Sequence, residues 1–392
     1  MIQNPLALAC VLLAIEIAVI YLSEDKLFKP FFKFLPAVFW IYFLPMVCST
    51  LGVIPSQSDL YQKISAYLLP ASLFLLLISV DVPAILKLGR SALLMMLAGS
   101  VGVMIGAPII LLLFGRVLPP DAWSGFSALS GSWIGGSANM IAVKEILKTP
   151  ESIFVPMIAV DIVVSYSWMA ILIALAACQN VYDRWNRSDR RLLDELHERV
   201  SDLSTVSFKG YDAGVLVLMF LLAAVMTVLS TQFAKQLPEM RGITAFTWTI
   251  LVITVLGILL SFTRARRLES YGSSKAGYLF LYFVLASIGA KANLSSLSTA
   301  PLLIAAGFVW VVFHFLFLLA VGRLIRAPLA LAATASQANI GGAVSAPIVA
   351  AIYQPVLAPV GLLLGVSGTI IGTYAALLCA QLCYWVTHSR FF

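Results

Sequence analysis

The chain has 392 residues, 61% of them hydrophobic and only 11% charged, against roughly 25% charged in soluble proteins. With a mean hydropathy of +0.99 it carries more apolar surface than a soluble fold can hide, so a bilayer is its solvent. The net charge of +7 sits in loops, as the positive-inside bias predicts, and is no sign of nucleic-acid binding.

Apolar stretches of about 17–25 residues predict about twelve transmembrane segments. They centre on Leu13, Ile41, Leu73, Val101, Ile134, Val164, Leu221, Val255, Phe283, Trp310, Ile340 and Ser367. Short loops join them, so the expected fold is one all-α integral membrane protein, multi-pass in the inner or plasma membrane with lipid as its constant partner. At the start, Met1-Ile2-Gln3-Asn4 lacks a basic region and the first apolar run contains Glu16. This reads as a retained helix rather than a cleaved signal, with Glu16 snorkelling or at an oligomer contact.

The fifth segment is interrupted by Ser130-Gly131-Ser132-Trp133-Ile134-Gly135-Gly136-Ser137-Ala138-Asn139-Met140, with Lys144 and Glu145 just beyond. In the next segment, Ile153 to Cys178, Asp161 lies deep in apolar sequence. An acid at that depth costs at least ~2.5–3.5 kcal/mol on insertion scales and is a functional candidate by default: a proton carrier or a sodium ligand. Ser165, Tyr166 and Ser167 stand ready to hydrogen-bond. The alternative is a structural ion pair with Lys144 or Lys291.

A basic linker, 179–210, follows the first half. Arg184, Arg187, Arg190, Arg191 and Arg199 alternate there with Asp183, Asp189, Asp194, Glu195 and Glu198. The spacing of Leu192, Leu193 and Leu196 suggests a short amphipathic helix at the cytoplasmic surface, or else a solvated connector. In the second half, His314 reads as a satisfied core or interfacial histidine. Lys291 closes its segment as a topology charge or a counter-ion to Asp161. The eleventh segment is broken by Ser336-Gln337-Ala338-Asn339-Ile340-Gly341-Gly342-Ala343-Val344-Ser345-Ala346-Pro347, and Ser367 follows at the place of Asp161. The five cysteines, Cys10, Cys48, Cys178, Cys379 and Cys383, lie in or beside apolar runs without metal-ligand spacing. Cys379 and Cys383 share a helix face four residues apart and read as small core thiols.

Ile134 and Ile340 stand 206 residues apart, each opening Ile-Gly-Gly. The segments before and after match in order, giving a first repeat at 1–178 and a second at 211–392. An even number of spans per half would make the repeats parallel. The basic loops of the first half favour the opposite side, which an inverted repeat explains. Duplicated interruptions of membrane helices mark transporter sites. Freed backbone groups there must face protein or water, half-helix N-termini favour anions, and C-terminal carbonyls favour cations. The expected site is therefore Ser132, Gly135, Gly136, Ser137, Asn139, Asp161, Gln337, Asn339, Gly341, Gly342, Ser345 and Ser367. Small-residue patches also serve close helix packing.

At Gly135-Gly136-Ser137-Ala138-Asn139, Ser287-Ile288-Gly289-Ala290-Lys291-Ala292-Asn293-Leu294 and Ala338-Asn339-Ile340-Gly341-Gly342, the chain resembles the YjcL-like family of uncharacterised bacterial and plant membrane proteins. That family looks like a branch of the cation/proton antiporter and anion transporter superfamily. The resemblance implies two crossing discontinuous helices in a core domain, a panel or dimerisation domain compatible with a homodimer, and elevator-like movement. It also implies a membrane aspartate after the first crossing helix, where Asp161 stands; the paired acids of antiporters are absent, since Val160 and Ile162 flank it.

The function expected is ion-coupled secondary transport of a small solute or ion, driven by sodium or protons, with no further cofactor. A passive channel or a non-transporting membrane scaffold is the alternative. No His-Glu-x-x-His, P-loop or Gly-x-Gly-x-x-Gly sequence occurs, so neither an enzyme nor an ATP-driven pump is expected.

Overall fold

The computed structural model describes residues 2–34, 36–189, 191–193, 195–196, 208–239 and 244–389. Arg190, Asp194, His197, Glu198, Arg199 and Arg390 lie outside them. The described residues form helices without strands: α1 (Pro5–Glu24), α2 (Lys29–Phe34), α3 (Ala37–Thr50), α4 (Asp59–Ile78), α5 (Val82–Lys87), α6 (Gly89–Phe114), α7 (Ala122–Gly135), α8 (Ser137–Leu147), α9 (Glu151–Leu175), α10 (Gln179–Asn186), α11 (Ala213–Ala234), α12 (Ala245–Ser261), α13 (Ser273–Lys291), α14 (Ala300–Leu324), α15 (Leu329–Ile340), α16 (Gly342–Tyr353) and α17 (Ala358–His388). Several start on side-chain caps that satisfy first-turn amides. Asn4 accepts from Leu6 and Ala7 N–H, Ser58 from Leu60, and Asp212 from Val215.

Among the described residues, seven helical stretches are long and apolar enough to cross a membrane: α1, α4, α6, Glu151–Asn186, α11, α14 and α17. An eighth is added if α12 and the sharply bent 3-10 stretch Arg264–Tyr271 form one span. The twelve expected centres all fall on helices, but about twelve full-length spans are not found. Three segments fall short in length. α3 has 14 residues, and the two glycine-centred segments are split into helices of 14 and 11 and of 12 and 12 residues.

The chain divides into two compact units, and neither coincides with a sequence half. The first comprises Met1–Ser79, Pro150–Ile158 and Ser207–Thr299. Its core joins Phe74, Leu75 and Ile78 of α4 to Met219 and Ala223 of α11, Ile253 of α12 and Ala276 of α13. The Ser273 hydroxyl donates to the Leu75 carbonyl. Gly289 lies so close to the Tyr42 backbone that a Cβ there would strike its carbonyl. On α1 the buried residues are Leu8, Leu12, Glu16 and Val19, a helical stripe of spacing 4, 4 and 3. Glu16 has 0% exposure, so it neither snorkels nor waits at an oligomer contact. Lys291 Nζ lies 3.9 Å from Glu151 Oε1.

The second unit comprises Val80–Thr149, Ala159–Val206 and Ala300–Phe392. Here α17 packs against α6, α7, α8, α15 and α16. The connector is attached to this unit. Asp183 Oδ1 accepts the Leu329 N–H at the start of α15, and Asn186 Nδ2 donates to Ala327 O. Leu193 and Leu196 are buried in protein, so the apolar side of that run is not free to lie on a membrane surface.

Candidate functional site

The site belongs to the second unit and is built on two broken helices. α7 runs up to Gly135 and stops because Gly136 takes φ 90° and ψ 174°, a conformation that glycine reaches without steric cost. The Gly136 N–H closes the last turn on Ser132 O at 2.7 Å, and α8 begins at once with no side-chain cap. The second break repeats the device, with positive φ at the equivalent glycine 206 residues on. The Gly341 N–H bonds Gln337 O at 2.8 Å, the positive φ of 65° falls on Gly342, and α16 starts without a side-chain cap. Both α8 and α16 therefore offer first-turn amides at half-buried residues: Ser137 and Ala138 in one, Gly342 and Ala343 in the other.

Nearly all of α7 and every residue of α15 is buried. Most of their hydroxyls turn back to their own helix, as buried Ser and Thr do. Ser127 donates to Trp123 O, Ser130 to Ser127 O and Thr334 to Ala330 O. Ser132 is different. Its hydroxyl donates to Asp161 Oδ2 at 2.8 Å, and the neighbouring Trp133 Nε1 donates to Asp161 Oδ1 at 3.0 Å. One turn along α9, Ser165 donates to the Ile340 carbonyl at 2.9 Å. So α9 reaches the C-terminal ends of both α7 and α15. Of the lysines weighed as structural partners of Asp161, Lys144 Nζ lies 2.8 Å from Glu145 Oε1 and Lys291 Nζ 3.9 Å from Glu151 Oε1. Tyr166 stands exposed.

The two amides act alike. Asn139 Nδ2 donates to Gly135 O at 2.7 Å, and its Oδ1 accepts the Thr373 hydroxyl from α17. Asn339 Nδ2 donates to Ala335 O at 3.0 Å and Met96 O at 3.2 Å, and its Oδ1 accepts the Ser100 hydroxyl from α6 at 2.9 Å. Each asparagine thus occupies a carbonyl of its own broken helix and ties it to a neighbour. Gln337 is fully buried and donates to Ser345 Oγ at 2.8 Å, while its Oε1 has no partner among the described residues. Exchanging amide O and N still leaves one end unsatisfied, and a buried orphan polar atom calls for an explanation.

Glycine contacts seat both breaks on α17. A Cβ at Gly368 would overlap the Ile134 carbonyl, and one at Gly372 would meet Gly135 and Asn139. A Cβ at Gly365 would meet Gly342 and Ala343, and one at Gly361 would meet Ala346. Gly365 and Gly368 are three residues apart, about 4.5 Å of helical rise, so the breaks sit on adjacent turns of one helix. Ser367 itself donates to Leu364 O at 2.6 Å and is not joined to either break.

Sequence reasoning missed Trp133, Thr373, Ser100 and the glycines of α17. The glycines were legible as Gly361-x-x-x-Gly365 and Gly368-x-x-x-Gly372, a spacing that lets membrane helices approach closely. His314 is the satisfied core residue expected. Its Nδ1 faces Gly99 O at 3.0 Å, so that nitrogen carries hydrogen. Nε2 then accepts from Ser336 Oγ at 3.1 Å, and Ser336 accepts the Trp168 N–H at 3.0 Å. Cys379 and Cys383 are buried with their sulfurs 3.9 Å apart.

The uncharacterized membrane protein YjcL of Bacillus subtilis (strain 168) is 28% identical over 349 residues, covering 84% of this chain and 85% of that one. The broken helices, Asp161 and α17 all fall within residues 11–385, which match a family described as protein of unknown function, DUF819. The chain is a membrane protein, and it belongs to the DUF819 family.

Proposed function

We propose that the protein is an ion-coupled secondary transporter of a small solute or ion, working by alternating access with its site between the two broken helices. The observation that carries this reading is the convergence on α9. Asp161 takes donors from the end of α7, and Ser165, one turn away, takes the last carbonyl of α15. A proton or sodium ion at Asp161 would change what holds the ends of both broken helices at once. That is the link an ion-coupled carrier needs. The uncapped starts of α8 and α16 and the unsatisfied end of Gln337 supply places for a solute.

The same reading takes the matched breaks as halves of an inverted repeat within about twelve crossings, some of them short. It aligns the family with the cation/proton antiporter and anion transporter superfamily. It makes the protein a carrier of the cell membrane, compatible with a homodimer, rather than an enzyme, with the coupling ion in place of a cofactor.

Thermal-shift screening of the purified protein against sodium chloride, pH and small metabolites will identify a stabilising solute. Flux of that solute into proteoliposomes should saturate, follow a sodium or proton gradient, and vanish in Asp161→Asn with the protein still folded. Flux that rises linearly with concentration would make the protein a channel. Coupled flux retained in Asp161→Asn would remove the carboxyl from the mechanism.

A further inference from the structure

The first unit holds a fully buried carboxyl that the transport reading does not use. Glu16 lies in the buried stripe of α1, against α3 and α13. It has 0% exposure, and neither Oε1 nor Oε2 has a hydrogen-bond partner. Among the described residues no lysine, arginine or histidine pairs with it, and α2 and α3 contribute no hydrogen bond to it. The titratable side chain within electrostatic reach is Tyr282 of α13. An ionised carboxylate placed so, without donor or counter-charge, is the kind of buried charge that proteins do not keep. A carboxylic acid fills the same space at far lower cost.

Two phenols lie near this carboxyl. On α13, Tyr282 is half-buried and Tyr278, one turn back, is exposed, with ring centroids 5.9 Å apart. Tyr278 lies within electrostatic reach of Glu269, whose carboxylate accepts from the Ser274 N–H at 2.9 Å and its hydroxyl at 2.7 Å. The two phenols of α13 thus have the half-buried Glu269, just before that helix, on one side and Glu16 of α1 on the other. Phenol oxygens both accept and donate, so each can take a proton while passing its own.

We propose that Glu16 is a proton-binding site of the first unit, occupied at neutral pH and exchanging with solvent past Tyr282 and Tyr278. This rests on the geometry of the first unit alone and holds whether or not the protein transports a solute.

The test is infrared spectroscopy of the full-length protein in lipid nanodiscs at neutral pH. The wild-type spectrum minus that of Glu16→Gln should contain the carbonyl stretch of one protonated carboxyl. That band should shift on transfer to D2O, and in Tyr282→Phe the shift should be several-fold slower. The Tyr282→Phe protein retains Glu16, so its measurement stands even if Glu16→Gln loses its thermal transition. A difference spectrum showing carboxylate bands in place of the carbonyl stretch would overturn the site. A band that never shifts in D2O would overturn the exchange, and an unchanged rate in Tyr282→Phe would overturn the path.

Discussion

α9 and α17 follow the two breaks at corresponding places in the sequence, yet they support them by opposite chemistry. With the 206-residue spacing of the Ile-Gly-Gly motifs, Gly361, Gly365, Gly368 and Gly372 of α17 correspond to Val155, Ala159, Ile162 and Tyr166 of α9. Asp161 and Ser165 correspond to Ser367 and Ile371. Where α17 removes side chains so that broken backbone can lie directly on it, α9 keeps them and offers hydrogen bonds to the ends of α7 and α15. A duplicated architecture has thus divided its labour. One helix mainly sets the shape of the site, adding the Thr373 hydroxyl to Asn139, and the other carries the carboxyl that an ion can alter.

The largest effect should come from filling the shape. In Gly368→Leu the new Cβ would overlap the Ile134 carbonyl, and backbone cannot step aside as a side-chain tip can. Overpacking a core costs typically about 1–3 kcal/mol, occasionally more, and this site should lie at the upper end. A large fall in melting temperature, together with loss of transport, checks it. Ile162→Ala, at the corresponding place on α9, should cost much less. Equal losses for the two would erase the difference between the helices.

Next comes the charge. Asp161→Asn should abolish ion-coupled flux while the melting temperature changes little, since the amide oxygen still accepts one of the two donors. Asp161→Ala should lower stability as well. It leaves the Trp133 N–H and Ser132 hydroxyl without their acceptor, and a buried group left unsatisfied costs about 1–3 kcal/mol. A ring stack holds Trp133 in place, its centroid 4.4 Å from that of Trp310, so its fluorescence offers a second readout of the carboxyl's loss.

Much of this division was legible in the sequence. Ile-Gly-Gly located both breaks, and the depth of Asp161 marked it. The span count was less legible, because apolar content does not report helix length: Ile134 and Ile340 sit in apolar runs that glycine cuts in two. Glu16 was misread because its apolar surroundings were noticed but its period was not, although Leu8, Leu12 and Val19 share its face. Trp133 could not be found from pattern at all. Its role depends on an N–H meeting a carboxylate 28 residues away, and only the fold specifies that meeting.

The finest distinction lies between two serines. Ser165 spans from α9 to the Ile340 carbonyl, while Ser367 of α17 returns its hydroxyl to Leu364 on its own helix. Replacing Ser165 by alanine strands the last carbonyl of α15 in a buried place, where a lost hydrogen bond is worth about 1 kcal/mol. Replacing Ser367 by alanine removes a bond that competes with the helix's own and leaves no group unsatisfied, so its melting temperature should match wild type. The two variants differ from wild type by one hydroxyl each, so their comparison isolates the contact between helices from the polarity of the residue. Ser165→Ala should also weaken the dependence of flux on the ion gradient, because the carbonyl of α15 is then no longer held beside Asp161. If Ser367→Ala proves the more damaging of the two, α17 supplies polar support beyond Thr373, and the division of labour between the helices fails.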